Sequence, residues 1–243
     1  MKLFANYSED CKKYKLISVF DIIDNYKQFC QRNPNTKLEI EDYYKNNYKD
    51  KLYSTHKHDK LKMSFVHKRT PTESCFFKYD KTNVNQYVSR EETISHSIYK
   101  DIISELEVLN LFIDGQIVKI YPAFSEIEYR FKANGEVYIA DVYIMFNKSE
   151  PAEYLYKWKG RLCFEINHTH AVDTIKKENC YYEGIPIFEH TISKKLSFEN
   201  VTSSKELIDR KNFVTNMLSE KIYGKILSNP SSNEYINYIK CIN

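Results

Sequence analysis

The sequence predicts an α/β fold built on a mixed central sheet, and three observations carry that reading. Between residues 89 and 192 the hydrophobic periodicity alternates as helix, strand, strand, strand, helix, strand. Asn134-Gly135 separates two apolar runs, a dipeptide whose left-handed backbone suits a tight hairpin. Two apolar runs, residues 137–146 and 161–168, each carry one embedded acid, Asp141 and Glu165. A carboxylate among apolar neighbours is costly unless it is paired, hydrogen-bonded or bound to metal. These two strands are therefore expected to be neighbours around a shared site.

Taken in order, residues 1–8 read as a short strand. Residues 16–31 read as a helix, with Val19, Phe20, Ile22, Ile23, Tyr26 and Phe29 at helical spacing and Asn33-Pro34-Asn35 as its stop. Residues 36–62 show little periodicity. Residues 62–68 and 75–79 read as strands around a turn at Pro71. Ser89 reads as the N-cap of a helix that runs to about Leu109, with Glu91 and Glu92 in its first turn and Ile94, Ile98, Ile102, Leu106 and Leu109 as its apolar stripe. Residues 117–124 and 136–146 follow as strands, 147–159 as a loop and 161–168 as a strand. Residues 172–183 read as a helix ended by Gly184, 185–192 as a strand, 199–227 as largely helical, and the tail as a short helix. The expected organisation is a basic α+β region over 1–84, a core over 85–195 and a helical region over 196–243.

A chain of 243 residues suits one large domain or two small ones. Five Gly and six Pro argue against long disordered linkers. The net charge of +3 is uneven: residues 1–85 hold 17 Lys+Arg against 11 Asp+Glu, a balance of +6, and the remainder carries −3. A basic front beside an acidic rear fits a nucleic-acid grip next to a metal-binding site, although solvated lysine is the commoner cause of such a balance. The six cysteines form no CxxC pair, the opening residues do not read as a signal peptide, and no apolar run is long enough to span a membrane. Reduced thiols in a cytoplasm are the expected state. Zinc held by His56, His58, His67 and Cys75 would match no standard ligand spacing, so these read as solvated side chains.

Strand alternation puts Leu162, Phe164 and Ile166 on one face and Glu165, Asn167 and Thr169 on the other. Asp141 and Glu165 are hard oxygen donors suited to Mg²⁺ or Mn²⁺. Two buried acids held only by hydrogen bonds or by Lys and Arg are the bland alternative. On the helix over 89–109, Glu92, His96 and Lys100 repeat at i, i+4 and i+8 and share one flank; alone, that row is an ordinary solvated edge.

The αβββαβ order, with Asp141 on one strand and Glu165-Ile166-Asn167 on the next, resembles the PD-(D/E)xK nuclease superfamily, and within it the competence-protein-CoiA-like branch. Glu92-x3-His96-x3-Lys100 is similar to that branch's helix signature, Ile139-Ala140-Asp141-Val142 to its metal-binding aspartate motif, and residues 164–170 to its E-x-(K/Q) strand with the polar residues that follow. Residues 182–192 resemble its Tyr-x-x-x-Gly-Ile segment and last strand. The resemblance covers roughly the middle 100 residues. Two features depart from it: Asn167 stands where the family has Lys or Gln, and the front lacks the family's frequent cysteine pattern.

The resemblance implies a restriction-endonuclease-like core and metal-dependent hydrolysis of phosphodiester bonds in nucleic acid, DNA first, in DNA uptake, repair or defence. Asp141, Glu165 and Glu92 would hold Mg²⁺ or Mn²⁺, and Glu126 or Glu128 would add a contact. Asn167 can only hydrogen-bond, so Lys100, His96, His168 or His170 would supply the missing cation or base. His168 faces away from Glu165 in a regular strand, whereas His170 lies past its end. Lys57, Lys60, Lys62, Lys68 and Arg69 in the basic front are the expected phosphate contacts. No membrane partner is expected, and a homodimer is compatible with the reading. Two further functions are carried: a nuclease-fold module that binds nucleic acid without cutting it, and a structural or protein-interaction module.

Overall fold

The structure, a computed structural model, describes residues 3–54, 60–67, 75–80, 93–167 and 172–242. The chain divides into two compact units, residues 1–98 with 198–209 and residues 99–197 with 210–243.

In the first unit β1 (Phe4–Tyr7), β2 (Lys15–Ser18) and β3 (Leu52–Tyr53) form an antiparallel sheet in the order β2-β1-β3. Ser18 ends β2 and caps α1 (Val19–Arg32): its hydroxyl accepts from the Asp21 amide, and the Asp21 carboxylate accepts from the Ser18 amide at 2.7 Å. This reciprocal capping satisfies two backbone donors and fixes where strand becomes helix. α2 (Ile40–Asn47) sets Tyr43 against Tyr26 and Phe29 of α1, with ring centroids 5.6 and 5.3 Å apart. β4 (Met63–Val66) and β5 (Phe76–Tyr79) pair as a separate antiparallel hairpin.

The second unit holds the central sheet. α3 (Ile94–Glu105) leads from the first unit into β6 (Leu109–Ile113), β7 (Gln116–Ala133) and β8 (Glu136–Glu150). α4 (Glu153–Trp158), β9 (Arg161–Asn167), α5 (Thr174–Tyr182) and β10 (Ile187–Thr191) follow, then α6 (Ser204–Glu220), β11 (Ile222–Tyr223), β12 (Lys225–Ser228) and α7 (Asn233–Ile242). The seven strands run in the order β11-β6-β7-β8-β9-β10-β12. Pairing is antiparallel from β6 to β9 and parallel between β9 and β10, with α5 as the crossover that a parallel pair requires. The protein is thus mixed α/β with a mixed central sheet, as the helix–strand alternation predicts, and strands 136–150 and 161–167 are neighbours.

β11 and β12 are separated by Gly224 alone, so one extended segment pairs with β6 through its first half and with β10 through its second, joining the two edges. A Cβ on Gly224 would collide with the Glu189 carbonyl and the Phe188 ring, which explains the glycine. Val142, Ile144, Leu162, Phe164 and Phe188 are fully buried on one face of the sheet. On the other, Phe131, Ala140, Tyr143, Cys163 and Ile187 cluster with Cys180 of α5.

Several element bounds differ from the sequence reading. The helix expected to reach Leu109 stops at Glu105, because Asp114 and Gly115, at φ 48° and 85°, form a second hairpin turn and draw residues 109–113 into a strand. The strand expected over 117–124 continues to Ala133 along its long partner, and the expected loop over 147–159 contains the end of β8 and α4. The helix expected over 199–227 ends at Glu220, because residues 222–228 complete both sheet edges. Ser89 and Pro71 lie outside the described residues.

Candidate functional site

Asp141 and Glu165 meet where β8 and β9 stop pairing. The ladder between these strands runs from Met145 opposite Arg161 to Val142 opposite Phe164, and Asp141 and Glu165 are the next residues on each strand. There, side chains replace the ladder. The Asp141 carboxylate accepts from the Ile166 amide at 2.8 Å, and the Asp141 backbone hydrogen-bonds the Glu165 carboxylate. On the opposite side of β8, Glu128 fills the gap between the Ile127–Val142 and Tyr129–Ala140 pairs with left-handed backbone, φ 55°. That conformation is uncommon for a long side chain, and it lies on β7 opposite Asp141.

Glu165 is 8% exposed. Its carboxylate accepts from Lys176 Nζ of α5 at 2.8 Å, and the same ammonium donates to the Ile139 carbonyl at 2.7 Å. Burial pushes the Glu165 carboxyl up to about 7; the Asp141 charge adds to that, and Lys176 opposes it. Burial disfavours the Lys176 ammonium, but the Glu165 charge and hydrogen bond outweigh it and the net shift is upward. Burial also holds the Cys163 thiol well above its ordinary range, so this cysteine is an inert neighbour of the acids.

Lys100 is 3% exposed and donates to Glu128 of β7 at 2.8 Å. Asn167, half-buried at the end of β9, accepts from the Ile192 amide through its carbonyl. Glu126 is half-buried on β7 opposite Tyr143. His96 lies in the first turn of α3, in the first unit, with its amide donating to Thr93. Lys60 is half-buried over the Tyr14 ring, and Lys62 is exposed, 3.9 Å from Asp50. Glu92, His168, His170, Lys57, Lys68 and Arg69 lie outside the described residues, as do His56 and His58.

The residue that sequence reasoning missed is Lys176. Its signal was its spacing from Cys180: at i and i+4 both occupy one helical stripe, and a crossover helix turns that stripe to the sheet.

Among the described residues no group of three or more His, Cys, Asp and Glu side chains is arranged to hold a metal ion. The donor set at Asp141 and Glu165 nonetheless suits Mg²⁺ or Mn²⁺, because small hard cations keep several waters and take one or two carboxylates together with substrate phosphate. All six cysteines are free thiols, and among the described residues no helix is long and apolar enough to cross a membrane. Compared with known proteins, the chain matches no family model, no curated protein and no solved structure.

Proposed function

We propose that the second unit is a metal-dependent nuclease that hydrolyses phosphodiester bonds of nucleic acid, with DNA as the favoured substrate, on a restriction-endonuclease-like core. The observation that carries this reading is the grouping of two carboxylates and one ammonium where β8 and β9 part: Asp141, Glu165 and Lys176, with Lys176 Nζ 2.8 Å from Glu165. Asp141 and Glu165 would hold Mg²⁺ or Mn²⁺, which when bound polarises a phosphate oxygen and acidifies water. Lys176 supplies the positive charge that Asn167 cannot. From the face of α5 it orients Glu165 and faces charge developing on a phosphate. Asn167 contributes hydrogen bonding at the strand end.

Plasmid and single-stranded DNA incubated with Mn²⁺ or EDTA test this reading with wild type, Glu165→Gln and Lys176→Met. Cutting by wild type in Mn²⁺ alone, lost in both variants, is the expected result; an inert wild type overturns the catalytic reading. One observation favours a second reading, a nuclease-fold module that binds without cutting: Lys176 and Glu165 already neutralise one another, as a purely structural buried pair would. Salt-dependent binding without cleavage by any variant would establish it.

A further inference from the structure

We propose that the β-ribbon of residues 129–140 is a docking arm for duplex DNA. This rests on the nucleic-acid reading above and extends it to a surface outside the Asp141–Glu165 site. β7 and β8 pair as far as Ala133 and Glu136, whereas β8 pairs with β9 only as far as Val142. Residues 129–140 therefore run past the sheet as a two-stranded ribbon with the candidate site at its base. A ribbon of this kind fits the major groove of B-DNA, which is about 12 Å wide.

The two faces of the ribbon differ. The inner face packs on α5, and its tip is pinned there: Asn134 donates to Asn179 at 3.0 Å and, through its backbone, to Glu183 at 3.3 Å, and Asn179 donates to the Tyr138 hydroxyl at 2.7 Å. The turn itself, Asn134 and Gly135 at φ 50° and 81°, is a tight hairpin. The outer face exposes two cross-strand pairs, Arg130 opposite Ile139 and Lys132 opposite Val137. Ile139 is 43% and Val137 58% exposed. Arg130 and Lys132 make no ion pair among the described residues. Two cations without carboxylate partners, about 7 Å apart along the strand, interleaved with apolar side chains on a rigid ribbon, are complementary to a polyanion with apolar base edges. They are not complementary to a basic or neutral protein surface.

The test is fluorescence anisotropy of a labelled duplex in EDTA, so that binding is read without cutting. Wild type is compared with R130E/K132E, with V137S/I139S and with K148Q, a control on the far part of β8 whose ammonium is already 3.0 Å from Glu150. Loss of two phosphate contacts predicts binding weakened about tenfold or more and a salt slope shallower by about two units. K148Q should match wild type. Thermal melts check folding, and all the substituted positions are exposed. Wild type that binds no duplex overturns the nucleic-acid reading itself. Wild type that binds, with R130E/K132E unchanged in affinity and slope, overturns the arm alone. Tighter binding to single strands with the same loss in R130E/K132E overturns the duplex assignment. A dimer that V137S/I139S converts to monomer, with DNA binding intact, makes the face a self-association surface and also overturns the proposal.

Discussion

The pKa of Glu165 makes the stability of the fold depend on pH with a definite sign. In the unfolded chain a glutamate titrates near its ordinary value of 4.5; in the folded chain burial pushes Glu165 up to about 7. Between these values the folded state holds a proton that the unfolded state has released. Stability is therefore fully present below pH 4.5 and is lost as pH rises through 7. The shift corresponds to on the order of 3 kcal/mol, because each pKa unit is about 1.4 kcal/mol. Lys176 stays charged throughout this window because its own shift is upward, so it drops out of the difference. The perturbation is Glu165→Gln, which keeps a hydrogen-bond acceptor but cannot titrate. Urea unfolding midpoints of both proteins across pH 5 to 8 provide the measurement. Wild type should lose on the order of 3 kcal/mol relative to the variant over that range. Mn²⁺ should restore part of the loss in wild type only, about 2.7 kcal/mol at a hundred times its Kd. Parallel pH profiles for the two proteins would refute the assignment of the raised pKa to Glu165.

Asp141→Ala should abolish Mn²⁺ binding by calorimetry while costing only about 1–3 kcal/mol of stability through the unsatisfied Ile166 amide; unchanged binding would remove Asp141 from the site. Lys176→Met should lower plasmid nicking in Mn²⁺ about 10²–10³-fold, with Asn167→Lys in that background recovering part of it, whereas equal rates in Lys176→Met and wild type would take the lysine out of the chemistry. His190 is buried, with Nδ1 2.7 Å from the Tyr223 carbonyl and Nε2 without a partner among the described residues, and burial lowers its pKa. Its contribution to stability is therefore present above the unfolded pKa near 6.5 and is lost as pH falls below it, and His190→Phe should flatten the acid limb of thermal melts measured from pH 7 to 5.

What the sequence displayed was whatever depends on residues close together in the chain. Asn134-Gly135 fixes its hairpin because Asn and Gly sit easily at φ 50° and 81°, and the neighbouring apolar runs then pair by default. Asp114-Gly115 carries the same signal, but a continuing helical stripe through Leu106 and Leu109 competes with it, and the turn prevails because β6 finds a partner on each side. Asp141 and Glu165 were legible as acids misplaced in apolar strands. The left-handed backbone at Glu128 was not, because a glutamate at φ 55° is held by its tertiary setting, here the Lys100 pair, and not by its own preference. Residues 222–228 read as the end of a helix for a related reason: their strand conformation comes from two sheet edges distant in sequence.

Lys176 brings a positive charge to Glu165 from a helix and not from the strand that carries the acid. On a strand, a cation two residues after Glu165 would share its face, and Asn167 occupies that position without a charge. α5 returns over β9 in the opposite direction: Lys176 meets Glu165, Cys180 joins the cluster of Cys163, and the carbonyl of Glu183 meets Arg161. The register of α5 against β9 thus decides which helical residue lands on the acid. The ammonium is shared between Glu165 and the Ile139 carbonyl of β8. That second contact ties α5 to the strand that carries Asp141. A shift of α5 by one residue would therefore take the ammonium away from Glu165 and from the strand of Asp141 at once, so the register of α5 against β9 decides where the positive charge falls.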